Sequence, residues 1–386
     1  MKHFLLFGML SAFALLAGAC SSTRQGDVLL ILDEGAAVVI VNPDGGVVER
    51  FEPASDAAYF QPIWASTDTF VRAETSPQGN HLAAIRIGGE EVWDVEFATP
   101  PFYYLASLKE DSATVILLRN NDFSPGLVAE VVSGVGSVDP VGNGAPFYMT
   151  WDPDSDRFAT HVGAVRLDVH AEITETISDS AGMFQAPVWL EAGLVTLRTE
   201  NTRTFLSLWD GAEFADLATV RGPARFVGAG NRLAVQTTNS SDPGAILASA
   251  QTIPAISTGV LTVIDLTSGS LSAISSDPAL VYQWDATGNR LLFLDFVNDG
   301  DLAVQWHVWE GGDVTDFEQF AVNVSWLQSF GPFFDQYAQS VSLWAPDGSA
   351  FVYPAIVDGE PRILVQDIDD ETATDVASGV WVAWSP

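Results

Sequence analysis

Trp344-Ala345-Pro346-Asp347-Gly348, followed by the apolar residues 350–353, is the segment of this sequence that decides the fold. Weaker copies stand at Trp284-Asp285-Ala286-Thr287-Gly288 and Trp151-Asp152-Pro153-Asp154-Ser155, and the chain ends on Trp384-Ser385-Pro386. A repeat of about 40 residues built from short strands is typical of a radial array of small β-sheets, because one such sheet cannot bury its own faces. The sequence therefore predicts an all-β propeller.

Counting the repeats gives the expected number of blades. The middle residue of the second strand in each unit marks one repeat. These markers are Leu30, Phe70, Val115, Phe158, Leu194, Leu233, Leu291 and Phe351. We therefore predict an eight-bladed β-propeller, with seven blades as the alternative. Residues 27–51 supply only three strands, and residues 379–384 form a strand with no successor. We expect this C-terminal strand to pair with the N-terminal three and close the ring, which removes exposed sheet edges.

The N-terminus is typical of a secretory signal peptide, with Lys2 before an apolar stretch and small residues before Cys20. Leu16-Ala17-Gly18-Ala19-Cys20 resembles the bacterial lipobox, which implies lipid attachment at Cys20. The alternative is an ordinary signal peptide with a chance cysteine. We predict a lipoprotein signal peptide at residues 1–19, a lipidated tether at 20–26 and a single propeller domain at 27–386. The protein is then an extracytoplasmic, membrane-anchored bacterial lipoprotein.

Composition limits the partners. Fifty acidic and 16 basic residues give a formal charge of −34, so nucleic acid is not expected to bind, because phosphate binding needs clustered Lys and Arg. An acidic surface that is poor in lysine suits a secreted protein in salty water. With 12 Trp and 23 Phe the chain has ample material for a core. We expect a monomer.

Two repeats are longer than the others, with the excess at residues 239–258 and 316–335. Because antiparallel strands alternate direction, both insertions should lie on one face of the propeller. Aromatic residues recur in the connections between blades on that face. The candidate ligand-binding residues are Tyr103, Tyr148, Phe184, Tyr282 and Phe334. The competing interpretation is that these side chains wedge adjacent blades apart and have no binding role.

The sequence contains no recognisable catalytic motif. Its five histidines show no spacing that would place two on one face as metal ligands, and no phosphate-binding glycine motif follows a strand. We predict no cofactor, although a weakly held calcium ion could occupy an acidic cluster. The two clusters are Asp152, Asp154 and Asp156, and Asp295, Asn298, Asp299 and Asp301. A pair of carboxylates for glycoside chemistry stays open, because distances are not visible in sequence.

The turn unit resembles the repeat of TolB-like, WD40-like bacterial propellers, whose consensus reads Trp-Ser-Pro-Asp-Gly. Pro62-Ile63-Trp64, Pro187-Val188-Trp189, Trp344-Ala345-Pro346-Asp347-Gly348 and Trp384-Ser385-Pro386 carry it best. The resemblance implies a fold and not an activity. TolB itself has an additional N-terminal α/β domain and typically six blades, so the likeness is to the repeat and does not extend to a role in the Tol system.

These observations predict a non-enzymatic binding or scaffolding module of the cell envelope, with a protein, peptide or glycan as partner. The alternative is a carboxylate-dependent hydrolase or lyase with its site in the mouth of the propeller channel. Converging acidic or histidine side chains with perturbed pKa values would favour the enzyme. An aliphatic and aromatic lining would favour binding, and a mouth plugged by the protein's own side chains would favour a scaffold.

Overall fold

The structure, a computed structural model, describes residues 27–107, 109, 112–122, 126–141, 146–163, 165–182, 185–237, 256–257, 259–275, 277–297 and 303–386. The predicted signal peptide, the tether and Cys20 lie outside these residues, as does nearly all of the first insertion. None of the helices within the described ranges is long and apolar enough to cross a bilayer.

Short strands dominate the chain. In order, the elements are β1 (Leu29–Leu32), β2 (Val38–Val41), β3 (Val47–Phe51), β4 (Ala58–Trp64), β5 (Thr69–Ser76), β6 (Gly79–Arg86), β7 (Glu91–Phe97), β8 (Pro101–Ala106), β9 (Val115–Asn120), β10 (Leu127–Val132), β11 (Val138–Pro140), β12 (Pro146–Trp151), β13 (Phe158–Val162), β14 (Arg166–His170), β15 (Glu175–Ser178), β16 (Val188–Leu190), β17 (Gly193–Glu200), β18 (Arg203–Trp209), β19 (Phe214–Val220), β20 (Ala224–Ala229), β21 (Arg232–Thr237), β22 (Leu261–Asp265), β23 (Ser270–Ser275), β24 (Val281–Trp284), β25 (Arg290–Phe296), β26 (Ala303–Glu310), β27 (Asp313–Asp316), β28 (Phe320–Val322), α1 (Val324–Phe330), a 3-10 helix (Gly331–Phe333), α2 (Phe334–Tyr337), β29 (Ala350–Val357), β30 (Glu360–Asp367), β31 (Thr374–Ser378) and β32 (Trp381–Trp384).

These strands pair in antiparallel sheets of consecutive strands. In the described part of the chain, the four-stranded sheets are β3-β2-β1-β32, β4-β5-β6-β7, β11-β10-β9-β8, β12-β13-β14-β15, β16-β17-β18-β19 and β20-β21-β22-β23. The remaining strands form one larger sheet, β24-β25-β26-β28-β29-β30-β31, in which β27 also pairs with β26. The fold is therefore an all-β propeller, as predicted.

The predicted ring closure is confirmed. Strand β32 pairs antiparallel with β1, in a register that runs from Leu29 opposite Trp384 to Leu32 opposite Trp381. All eight markers lie in the second strand of their units. The larger sheet joins two of the predicted blades through β28, which pairs with both β26 and β29. The count of eight blades stays a prediction.

The tryptophan of the turn unit links neighbouring blades. This tryptophan lies at or near the end of the first strand of its unit. The first strands of neighbouring units pack against one another, and we call them the inner strands. At four of these tryptophans the indole N–H donates to a backbone carbonyl of the preceding inner strand, whereas Trp189 Nε1 and Trp384 Nε1 are buried with no partner among the described residues. The pairs are Trp64 with Ala383 (3.3 Å), Trp151 with Leu105 (3.1 Å), Trp284 with Val227 (3.3 Å) and Trp344 with Gln283 (3.1 Å). The repeated tryptophan therefore has a packing role between blades.

A matched pair of substitutions measures this bond. Trp384 Nε1 is buried without a hydrogen-bond partner in the described residues, whereas Trp344 Nε1 donates to Gln283. Trp344→Phe and Trp384→Phe remove similar ring volume, but only the first also removes an indole hydrogen bond. We expect Trp344→Phe to lower the free energy of unfolding by about 1 kcal/mol more than Trp384→Phe in urea denaturation. Equal losses would show that the bond adds nothing to ring packing.

Candidate functional site

A helical segment fills the channel at the face that carries the connections between blades. Asn323 caps α1, because its side-chain oxygen accepts the backbone N–H of Trp326 at 3.2 Å. Trp326 stacks on Phe330 with ring centroids 5.1 Å apart, and Phe330 stacks on Tyr337 at 5.7 Å. The second insertion thus contains α1 and the start of α2, which present a buried aromatic face. We call residues 330–341 the plug.

Side-chain amides bind the plug to the inner strand β12. Gln336 Oε1 accepts the backbone N–H of Met149 at 2.8 Å, and its Nε2 donates to the Met149 carbonyl at 2.6 Å. Gln339 Oε1 accepts the backbone N–H of Trp151 at 3.0 Å and the hydroxyl of Thr150 at 2.9 Å. These bonds satisfy backbone groups on the edge of β12 that faces the channel.

Other inner strands hold the plug in the same way. Gln61 on β4 donates to Tyr337 Oη at 2.8 Å, and the backbone N–H of Ala106 on β8 donates to Ser340 Oγ at 3.1 Å. Gln283 on β24 donates to the carbonyl of Val341 at 2.8 Å. The plug is therefore fixed to several blades at once and closes the channel at the insertion face.

Three of the five predicted aromatic residues lie in the plug or pack against it. Tyr103, on β8, packs edge-on against Tyr337 at 6.4 Å. Tyr282 is fully buried, donates its hydroxyl to the Arg225 carbonyl at 2.7 Å and lies 4.5 Å from the ring of Phe334. Tyr148 is half-buried, and Phe184 lies outside the described residues. The rings of Tyr103, Tyr282 and Phe334 pack between blades and plug, and the predicted ligand-binding role of the five residues stays a prediction.

Asp335, in the first turn of α2, is a buried acid that the sequence did not single out. Only 3% of its surface is exposed, and its hydrogen bond from the backbone N–H of Gln336 to Oδ1 measures 3.2 Å. Loss of hydration raises the pKa of Asp335 to about 6, although the positive charge of Arg225 opposes the rise. Asp335 faces the cavity described next.

Two adjoining cavities occupy the channel on the far side of the plug. The smaller, of about 180 Å³, lies between Trp151, Val188 and Asp335. The larger, of about 390 Å³, is bordered by the turn tryptophans Trp64, Trp284, Trp344 and Trp384. The two cavities share Val227, Gly228, Ala338 and Gln339. Both lie where the inner strands end and their turns begin, and we call this end of the channel the turn face.

Two other carboxylates in these walls accept hydrogen bonds from residues of their own turns. Asp152 Oδ2 accepts the guanidinium of Arg157 at 2.6 Å and the hydroxyl of Ser155 at 2.7 Å. Burial opposes ionisation of Asp152, but its hydrogen bonds outweigh burial and lower its pKa. Asp285 accepts the hydroxyl of Thr287 at 2.7 Å and the backbone N–H of Asn289 at 2.9 Å. Among the described residues that line the two cavities, Asp335 is thus the aspartate that accepts no hydrogen bond from a turn.

Three of the aspartates considered as calcium ligands, Asp152, Asp156 and Asp295, have other contacts. Asp156 pairs with Lys109 at 2.8 Å. His307 lies between Asp295 at 3.0 Å and Asp316 at 2.7 Å, within the larger sheet and away from the channel. Residues 298–301 lie outside the described residues. Within the ranges described, no group of three or more His, Cys, Asp or Glu is arranged to hold a metal ion, and the calcium hypothesis stays untested.

No protein-family model and no curated protein matches this sequence. Solved structures similar to it include a eukaryotic initiation factor, with TM-score 0.58, 10% identity and coverage of 94% of this chain and 99% of that chain. The β-propeller domain of the Trilobed protease from Pyrococcus furiosus matches with TM-score 0.50, 11% identity and coverage of 84% and 98%. TolB from Acinetobacter baumannii matches with TM-score 0.39, 10% identity and coverage of 85% and 82%.

These likenesses concern the fold alone. A protease's propeller domain is among the matches, so the predicted resemblance to known propellers is confirmed at the level of fold. Propellers serve in both enzymes and binding proteins, and an identity of 11% does not distinguish the two. The function must therefore be argued from the channel.

Proposed function

We propose that this protein is a lipid-anchored propeller of the bacterial cell envelope that binds a protein, peptide or glycan at its turn face. The observation that supports this best is the character of the cavity walls. Tryptophan, valine, alanine and proline side chains provide most of the lining, and the polar side chains of Gln283, Gln339 and Ser340 are held in place there by hydrogen bonds within the protein. Concave apolar walls with a few polar groups are typical of ligand sites.

Binding is favoured over catalysis because the described residues of the walls do not offer a free pair of acids. Acid–base chemistry by carboxylates requires two such groups on either side of a bond, with one free to take the proton. Asp152 and Asp285 accept hydrogen bonds within their own turns, so among the described wall residues Asp335 has no second acid to work with. The lipobox-like segment ending at Cys20 supports the membrane anchor, and the charge of −34 argues against nucleic acid as partner.

We place the binding surface on the turn face, opposite the insertions, because the plug closes the insertion face. Ala286 is exposed on a turn and borders the larger cavity, so Ala286→Trp should obstruct it without disturbing the core. We expect membranes carrying Ala286→Trp to lose partners that the wild-type protein retains in crosslinking pull-downs, with affinity reduced at least about tenfold.

Ala212→Trp is the matched control. Ala212 is also exposed, but it lies on the turn between β18 and β19, away from the inner strands. This variant should retain the wild-type partners. An unchanged partner set for Ala286→Trp, with both variants folded by circular dichroism, would move the binding surface elsewhere on the protein.

A further inference from the structure

The smaller cavity contains an acid whose charge is poorly compensated. Asp335 forms no ion pair with any residue that the structure describes. Its charge interacts electrostatically with groups on four inner strands. These are Arg225 on β20, Tyr103 on β8, Tyr148 on β12 and Tyr282 on β24.

None of these four groups neutralises Asp335 by direct contact. Arg225 donates to the carbonyl of Gly331 at 3.2 Å, and its guanidinium lies 5.6 Å from the ring centre of Phe334. Burial raises the pKa of Tyr148 to about 12, and burial raises the pKa values of Tyr103 and Tyr282 well above the usual range. The phenols therefore stay neutral at physiological pH, and the ionised carboxylate lacks a close cation. A buried charge in this state is strongly stabilised by a cation that reaches it.

The shape and lining of the cavity define the cation. Trp151, Val188 and Val227 provide apolar walls, and Asp335 and Gln339 provide polar groups. About 10–15 Å³ of cavity volume is enough to hold one water molecule, so a cavity of 180 Å³ has room for a ligand of several non-hydrogen atoms. A butylammonium group has five non-hydrogen atoms, with an apolar stem and a compact charged end. Its stem fits the apolar walls while its nitrogen meets the acid.

We propose that this cavity binds a primary alkylammonium group, with the stem against Trp151 and Val188 and the charge at Asp335. The inference rests on the proposed binding function and names the chemistry of its ligand. The group could be a lysine side chain of a partner or a free small amine, and the two sources share this chemistry. The protein's formal charge of −34 favours the approach of either cation.

Calorimetric titration of the lipidated full-length protein in detergent tests the proposal. The ligands are N-acetyl-lysine methylamide, its ε-acetylated analogue and butylammonium chloride. We expect the lysine derivative to bind at least about tenfold more tightly than its neutral analogue. Tighter binding of the peptide-like derivative than of butylammonium would assign the site to a partner's lysine, and the reverse order would assign it to a free amine.

Two variants identify the acid. Asp335→Asn should reduce affinity for the ammonium ligands at least about tenfold, whereas Asp358→Asn, at an exposed turn, should leave it unchanged. Wild-type affinity should fall about tenfold between pH 7.5 and pH 5.0 as the acid is protonated, and Asp335→Asn should not show this fall. Circular dichroism confirms that both variants are folded.

Equal binding of the charged and acetylated ligands, or a pH-dependent affinity retained in Asp335→Asn, would overturn the inference. Those results would not affect the proposed function if Ala286→Trp still abolished partner capture. The proposed function would instead be refuted if Ala286→Trp captured the same partners as the wild type, regardless of how tightly the small ligands bind.

Discussion

Deletion of residues 379–386 is expected to abolish the cooperative fold. These residues contain β32, which completes the first sheet by pairing with β1. Trp381 also donates its indole N–H to the Pro62 carbonyl at 3.0 Å and packs edge-on against Tyr337 at 5.5 Å. Removing each of two buried tryptophans costs about 3–5 kcal/mol, and the lost backbone pairing adds to this. The sum approaches the whole stability of a typical domain, about 5–15 kcal/mol.

Size-exclusion chromatography and urea denaturation measure the result. The truncated protein should expose the edge of β1, form aggregates and lose its cooperative transition. Deletion of Pro386 alone is the control, because that residue is exposed and lies outside β32. A monomeric truncated protein with a wild-type transition midpoint would show that the closure between β1 and β32 is dispensable.

The second large effect is a pH-dependent instability caused by Asp335. The ordinary pKa of 3.8 applies to the unfolded chain, and burial raises the value to about 6 in the folded protein. Since the folded state holds the proton more tightly, the stabilising contribution is complete below pH 3.8 and is lost as the pH rises through 6. The difference amounts to about 3 kcal/mol. Asp335→Asn should therefore be more stable than the wild type at pH 7.5 by up to about 3 kcal/mol, and by much less at pH 4.

Comparison of the two proteins isolates Asp335 from other titrating groups. Burial lowers the pKa of His161 to about 4, so its contribution has the opposite sign: stability is lost as the pH falls from 6.5 through 4. His161 is present in both proteins and cancels in the difference between their urea midpoints. Asp358→Asn controls for the change in net charge. A difference between wild type and Asp335→Asn that does not vary with pH would refute the assignment.

Strand positions were predictable because their signals are local. The turn at Trp344, for example, is followed within a few residues by β29, and the same order of turn and strand recurs along the chain. Prediction of the second insertion was less successful. Its aromatic residues form a buried face only when α1 and α2 pack against inner strands, so their spacing was not recognised as helical.

The channel could be predicted only in part. The aromatic residues on the inner strands were identified as candidates, but whether they face a ligand or a neighbour depends on the plug. Gln336 contacts Met149, which is 187 positions away in the chain. No local pattern reports a contact of this kind, because it arises only when the ring has closed.

The amino-acid sequence by itself determined the propeller, the order of its strands and its closure by the C-terminal segment, because hydrophobic patterning and turn chemistry act over a few residues. Only the tertiary structure decided which end of the channel is closed and which carboxylate of the described cavity walls accepts no hydrogen bond or ion pair from a turn. Asp335 is one of 50 acidic residues in the sequence. Burial by distant inner strands, which removes its hydration, makes it different from the rest.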